Sequence, residues 1–509
     1  MAIKELMTAC AIVALAAIPT SVSAKTLVVG VQDNLTGLDP ANVNDTLSQT
    51  SLRTVYQGLF GFDRDMKLVP LLAERFEASP DATQYTFHLR RGVKFHDGTD
   101  FNAQAVKVNI ERLANPENRL SRRSLVSMVD RVEVVDPYTV KVLLKEPFGA
   151  FPNNLAHPGA MIISPAALEK YGKEIGRNPV GTGAFKFKRW AADTFETERN
   201  ETYWKQGLPK VDGVTIRSVP ENGSRIAMLQ AGEAQFVTPL PPEMVAVAER
   251  NPNLEVVKRP SIVAWYVAMN TMRKPFDDVR VRQALNYAVN KQAYCKVVES
   301  GYCDPTDSPL PSLLQFYKQQ EPYAFNLEKA KALLAEAGYP NGFETEMFGK
   351  NNTTAIRAMQ FLQQQFAQVG VKVKVEPLEA GVEAQRVWGV SKPEDATVRM
   401  QFAGWSSSTG DADWALRPLL ASTSFPPAMF NVAYYRNDAV DKAIVSAIGT
   451  ADPEKRAAFY ADAQKQIWQD APWVFLGTNQ LLTAQSKGLS GVYMLPDRGF
   501  SLEEASFKD

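Results

Sequence analysis

Along this chain, short β-branched or alternating runs and helix-patterned stretches follow one another, and no stretch repeats another at a fixed period. That constrains the fold most, because strands need neighbours for their backbone groups and helix stripes need a surface to cover. Such an order builds mixed α/β layers. TLVVGV from Thr26 is a β-branched run ending in turn residues. Tyr85, Phe87 and Leu89 alternate with Thr86, His88 and Arg90, the pattern of a half-buried strand. VEVVDPYTVKVLL places an Asp-Pro turn between two β-rich halves and reads as a hairpin. Phe101-Asn102-Ala103 opens a helix carrying Val106, Val108, Ile110 and Leu113. Asn326 caps a second helix with Leu327, Ala330, Leu333, Leu334 and Ala337 on one face, stopped by Gly338 and Pro340. The stretch Thr353 to Val369 reads as another amphipathic helix, followed by the alternating strand VKVKVEPL. Asp452-Pro453 starts a helix whose stripe is Ala457, Tyr460, Ala461, Gln464, Ile467 and Trp468. At 509 residues the chain exceeds what one hydrophobic core supports, so two or three domains are expected. With no solenoid period and no Gly/Ser linker, they are expected to pack together.

Residues 1–24 carry one lysine, an apolar stretch from about Leu6 to Ala17, Pro19, and the small-residue ending Val22-Ser23-Ala24. A membrane span needs roughly 20 apolar residues, so this shorter stretch reads as a cleaved signal peptide, with the mature chain starting near Lys25. Export to the periplasm follows as an expectation. Lys+Arg 56 and Asp+Glu 56 cancel, which removes the electrostatic basis for binding nucleic acid. Losing Lys4 and Glu5 leaves that balance unchanged. In an oxidising compartment Cys295 and Cys303 form either a disulfide, contributing about 2–3 kcal/mol in the chain-entropy model, or two free thiols.

No phosphate-loop, zinc-protease, C-x-x-C or G-x-S-x-G signature occurs. VGTGAF at 180–185 lacks the third glycine of a dinucleotide loop and reads as a turn. His88, His96 and His157 read as structural histidines rather than catalytic bases. Asp411 and Asp413 are close enough to suggest an acid/base pair. Residues two apart, however, face opposite sides of a strand and do not share a helix face, so joint chemistry needs an irregular loop. A turn or helix cap competes evenly with a ligand contact. No cofactor or metal is expected, and a binding protein is favoured over an exported peptidase or amidase.

Several stretches together resemble the solute-binding proteins of peptide-type ABC importers, the dipeptide and oligopeptide-binding class. They are LAERFEASPDATQYTFHLRRGVKFHDGT at 72–99, NPVGTGAFKFKRW at 178–190, ETYWKQGLPKVDGVTIRSVPE at 201–221 and MLQAGEAQF at 228–236. KPFDDVRVRQALNYAVNK at 274–291, EKAKALLAEAGYPNGF at 328–343 and AFYADAQKQIWQDAPW at 458–473 continue the series, in order, over essentially the whole mature chain. NDTLSQ at 44–49, ISPAALEKYGKEIG at 163–176, GWSSSTGDADWALRPLLAS at 404–422 and MLPDRGFSLEEA at 494–505 resemble the glutathione-binding branch of that class.

The resemblance implies an α/β, two-lobed periplasmic-binding-protein fold of the large three-domain type. Domain I would comprise 25–52, 178–267 and 477–509, domain II the insertion 53–177, and domain III 268–476. The ligand, glutathione or a small peptide, would lie between the lobes of a monomer that delivers it to a membrane ABC permease. Hinge closure is the usual motion of such proteins. By the same resemblance Trp405, Ser406, Ser407 and Ser408 form the ligand-pairing segment, with Trp405 as a flat apolar wall and the hydroxyls as donors and acceptors. Dipeptide and oligopeptide binders carry an aspartate where this chain has Ser408, with Asp411 and Asp413 further on. That departure suits a ligand whose free amine lies elsewhere, as in a γ-linked glutamyl peptide. Arg386 matches a carboxylate-binding arginine, Tyr266 a cleft tyrosine, and Asn351 a cleft loop. A general dipeptide or oligopeptide binder is the alternative, and metal or heme-like ligands, which other members of the class take, are a third.

Overall fold

The structure, a computed structural model, describes residues 25–508. The expected signal peptide lies outside the described residues. Ten strands form one continuous path in the order Lys372–Leu378, Glu344–Lys350, Met400–Ser406, Leu254–Met269, Trp473–Ser486, Phe236–Thr238, Thr26–Val31, Gly213–Ser218, Thr194–Arg199 and Phe185–Ala191. An eleventh, Cys303–Pro305, pairs with Trp473–Ser486. The two central strands, Leu254–Met269 and Trp473–Ser486, are long enough to belong to both halves of the sheet. They pair antiparallel from Leu254↔Ser486 to Pro260↔Gln480, break register between Pro260 and Ala264, and resume at Ala264↔Thr478. A bulge bends a ladder and sharpens its twist, so this break divides the sheet into two lobes without severing it.

Each half has its own core. Leu27, Val29, Val31, Phe195, Val214 and Ile216 are fully or almost fully buried in the first. In the second, Val267, Met347, Met400 and Phe402 are covered by the helices Val279–Tyr287, Lys291–Val298 and Thr353–Ala367. Cys295 and Cys303 are joined by a disulfide, with Cα atoms 5.0 Å apart, which ties the end of one of these helices to the short strand beside the crossing. Asn326 and Asn352 cap their helices through side-chain oxygens.

The insertion forms a separate antiparallel sheet, Ala73–Ala78, Gln84–Leu89, Thr139–Leu144, Val129–Asp136. Its last two strands are the hairpin read from the sequence. Tyr85, Phe87 and Leu89 face inward, as their alternation requires. This sheet is not isolated: one apolar cluster runs from Phe87, Val140 and Phe151 to Leu416, Leu419, Ile444 and Ile467 of the second lobe. In the helix Pro453–Asp470, Arg456 and Ala463 are buried where the sequence pattern pointed to Ala457 and Ala461. The stripe is rotated because Arg456 turns inward to an acidic partner. Among the described residues no helix is long and apolar enough to cross a membrane.

Candidate functional site

Strand Met400–Ser406 runs antiparallel to the crossing strand, with Trp405 opposite Ala264 and Ser406 opposite Val263, beside the register break. Gly404 is required there: a Cβ would stand 2.7 Å from the Trp265 ring. The chain then leaves the sheet as Ser407-Ser408-Thr409-Gly410-Asp411, a turn closed by Gly410 N–H donating to Ser407 C=O at 2.8 Å.

This turn meets the first lobe and its insertion directly. His157 Nδ1 accepts from Gly159 N–H at 2.9 Å, and burial drives the ring's pKa far below the ordinary imidazole value. The ring is therefore neutral, with its proton on Nε2, which donates to Ser408 Oγ at 3.1 Å. That leaves the Ser408 hydroxyl proton free to donate. Asn153 Nδ2 donates to Thr409 C=O at 3.0 Å, and Gly410 packs on Phe62. Within the same short loop, Ser406 Oγ, Thr409 Oγ1 and Asp411 Oδ2 are buried without a hydrogen-bond partner among the described residues. Buried polar atoms in native proteins are normally paired, so three orphans on one turn mark it as a place where a polar ligand or ordered water belongs.

The aspartates are already engaged. Asp411, fully buried, receives Arg456 Nη2 at 2.9 Å and Asp413 N–H at 2.8 Å. Burial raises its pKa, and Arg456 opposes that rise. Asp413 is gripped in a bidentate pair by Arg417 at 2.7 and 2.8 Å. Arg456 and Asp413 N–H both reach Asp411 Oδ1, which leaves Asp411 Oδ2 open to a donor, whereas both oxygens of Asp413 are taken by Arg417. The two aspartates expected as ligand contacts thus each carry an internal ion pair that holds the turn.

Trp405 donates Nε1–H to Trp414 C=O and packs its ring on Trp414 and Phe430. Its exposed part lines a small crevice with Tyr266, Pro309, Pro311 and Trp473. Tyr266 is stacked on Trp473, ring centroids 3.9 Å apart, and burial raises its pKa. Both Trp405 and Tyr266 therefore present aromatic surface to this crevice. Arg386 lies over the Phe348 ring and is held by Glu376 at 3.4 Å, so this guanidinium is already paired. Its helical turn joins the same aromatic group, since Trp388 packs edge-on against Phe430. Asn351 Nδ2 donates to Glu379 Oε1 at 2.5 Å at the ends of adjacent strands.

A cavity of about 250 Å³ lies on the first-lobe side of the turn. Arg53, Gln57, Tyr203, Lys205 and Glu503 line its polar part, and Phe60, Phe62, Val69 and Leu495 its apolar part. Arg53 pairs with Asp497 at 3.2 Å and Lys205 with Glu503 at 2.8 Å. No periodicity announced these residues, because they come from three separate stretches of chain.

Residues 67–426 match the sequence profile of the bacterial extracellular solute-binding proteins, family 5. The chain belongs to that family. Relatives in it include the glutathione-binding protein GsiB of Pectobacterium atrosepticum, 51% identical over 489 residues, 96% of this chain and 95% of the relative. GsiB of Salmonella typhimurium is 48% identical over 496 residues, 97% of this chain and 96% of the relative. Among solved structures, HbpA2 from Haemophilus parasuis superposes with a TM-score of 0.85 at 29% identity, covering 95% of this chain and 100% of that one. The periplasmic binding protein DppA from Helicobacter pylori, in complex with the peptide STSA, gives 0.77 at 30% identity, covering 95% and 98%.

Proposed function

We propose that this family 5 protein captures glutathione or a similar small peptide between its lobes and delivers it to a membrane ABC permease. It would act as a periplasmic monomer released from its signal peptide, returning the ligand chemically unchanged. The observation that carries this is the Ser406–Asp411 turn, where three buried oxygens lack partners and the Ser408 proton is free, next to the wall of Trp405 and Tyr266. Peptide amides and carboxylates are the groups such a turn satisfies. The two GsiB relatives supply the ligand class. Domain I would be 25–52, 178–267 and 477–509, domain II 53–177 and domain III 268–476. The hinge would lie at the register break of the crossing strands.

Thermal unfolding with and without reduced glutathione tests the reading. At 100 times Kd, binding adds about 2.7 kcal/mol. With an unfolding entropy of about 2.1 cal/mol/K per residue over roughly 480 residues, that is a rise of about 2–3 °C. A shift with ordinary dipeptides and none with glutathione would make this a general peptide binder, the reading that the DppA–STSA neighbour favours. Recovery of cleaved ligand by mass spectrometry would make it a peptidase instead.

A further inference from the structure

The cavity of about 250 Å³ is built where the first lobe meets its insertion, and all of its lining residues come from those two parts. A single water needs about 10–15 Å³, and small-ligand sites run from about 300 Å³ upward. The space therefore suits an amino-acid-sized group rather than a long peptide. One wall is the hairpin of Phe60–Phe62 and Leu68–Pro70. Its turn is tied to the first lobe by Arg64, 4.4 Å over the Tyr493 ring, and by Arg259 on Asp65 at 3.2 Å. Phe62 also packs on Gly410, and Ala156 and Pro158, which flank His157, line the cavity too. The cavity thus adjoins the Ser406–Asp411 turn.

Two side chains of opposite charge line it, and each is anchored by one edge only. Arg53 gives Nη2 to Asp497 at 3.2 Å, while its Nε–H and Nη1–H make no hydrogen bond among the described residues. Asp497, 5% exposed and bonded to Gly499 N–H, holds that guanidinium from behind. Glu503 ends a relay: Trp204 Nε1–H donates to Gln57 Oε1 at 2.8 Å, Gln57 Nε2 donates to Tyr203 Oη at 2.8 Å, and Tyr203 O–H donates to Glu503 Oε1 at 2.6 Å. Burial, with the Glu503 charge beside it, pushes the Tyr203 pKa well up, so the phenol keeps the proton it donates. Lys205 Nζ reaches the same Oε1 at 2.8 Å. Glu503 Oε2 therefore accepts no hydrogen bond among the described residues. A guanidinium carries five N–H donors and a carboxylate about four acceptor positions. The fold uses one edge of each to fix its place and leaves the other edge unused.

We propose that this cavity receives an α-amino-acid head, whose carboxylate takes the free edge of Arg53 and whose ammonium takes Glu503 Oε2. In glutathione that head is the γ-linked glutamate, the one residue that carries a free amine and a free carboxylate on the same carbon. The proposal rests on the reading of this protein as a binder of glutathione or a similar small peptide, and adds to it the position and polarity of the head. An ordinary α-peptide separates its ammonium from its carboxylate by at least one residue and offers no such head. The cavity is thus where a γ-linked ligand is told from an α-linked one, and the rest of the ligand lies past Phe62, toward the unpartnered oxygens of the turn.

The test is calorimetric titration of the full chain, and of its Arg53→Lys and Glu503→Gln variants, with three probes. These are reduced glutathione, N-acetylglutathione, and glutathione amidated at the γ-glutamyl α-carboxylate. Lysine keeps the charge that buried Asp497 needs but lacks the second edge. Glutamine keeps one acceptor for Tyr203 and Lys205 and loses the other carboxylate oxygen. The wild type is expected to bind glutathione roughly 10- to 100-fold more tightly than either modified probe, the range for a charge-assisted hydrogen bond. Arg53→Lys should bind glutathione and its α-amide alike yet still discriminate against the N-acetyl form. Glu503→Gln should show the reverse pattern, since the two ends are read separately. Wild-type discrimination retained in both variants overturns the proposal and leaves the glutathione reading standing. Loss of both discriminations in each variant, with a ligand-free Tm lowered by several degrees, also overturns it, because that marks two structural charges. A wild type that binds none of the three probes overturns the ligand reading and this proposal with it.

Discussion

Replacing Arg456 by Met tests whether the Ser406–Asp411 turn is held by a buried ion pair. Arg456 and Asp411 are 4% and 0% exposed, so neither charge can turn to water when the other is removed. Burial pulls the Arg456 pKa down, and Asp411 together with Tyr460 more than restores it, so the buried guanidinium depends on its acidic partner. Removing one partner of such a pair costs about 3–5 kcal/mol, because the other charge stays buried and unpaired. With roughly 1 kcal/mol per degree for a chain of this length, the expected fall in Tm is about 3–5 °C. The pH dependence has a definite sign. Asp411 already has a raised pKa in the folded protein, and losing Arg456 raises it further. A carboxyl whose folded pKa lies above its unfolded value supports the fold in acid and loses that support as pH rises through the folded pKa. The deficit of Arg456→Met should therefore be largest at neutral pH and shrink as pH falls. The double variant Asp411→Asn/Arg456→Met should recover most of the loss. Urea unfolding of the wild type and the two variants at pH 7 and pH 5 measures this. A deficit below about 1 kcal/mol at pH 7, or one that grows in acid, refutes the argument.

Two further expectations concern the junction and the staple. At Gly149 a Cβ would stand 2.2 Å from Thr450 C=O and 3.1 Å from Arg456 Nε, so Gly149→Ala should push the insertion away from the second lobe. The expected result is about 1–3 kcal/mol of lost stability together with weaker ligand binding, read by urea unfolding and calorimetry; unchanged values for both would show that this contact is not tight. Replacing Cys295 and Cys303 by Ser should cost about 2–3 kcal/mol for so short a loop, seen as a lower urea midpoint that reductant no longer changes.

Strand and helix identities were legible because they depend on local period and capping. Alternation at Tyr85–Leu89, the Asn cap at Asn326, and the Asp-Pro hairpin each need only near neighbours in sequence. The site was legible only in outline. Resemblance located the turn after Gly404, but the partners of its residues are Asn153, His157 and Arg456, between 45 and 256 positions away. Nothing periodic encodes such pairings. The same distance explains the aspartates: Asp411 and Asp413 look available in sequence, and their arginines become visible only when helix Pro453–Asp470 and the turn are packed together.

Net neutrality takes on a mechanical meaning at this junction. The chain's balanced charge gives no long-range field to hold a small zwitterion, so selectivity depends on a few local groups. On the reading proposed above, those groups include Ser408 of the second lobe, which meets the insertion's His157 across the junction. That contact is complete only when the lobes are together, so on this reading binding energy and closure are one quantity. The hinge proposed at the register break of the crossing strands, Pro260–Ala264, would leave the ladders on both sides intact. A ligand that bridges the gap adds differential affinity for the closed arrangement and shifts the population toward it, whereas one that satisfies a single lobe shifts nothing, however tightly it binds. On this reading, affinity for a bridging ligand is affinity for the closed state, the form in which both lobes would be presented together to a permease.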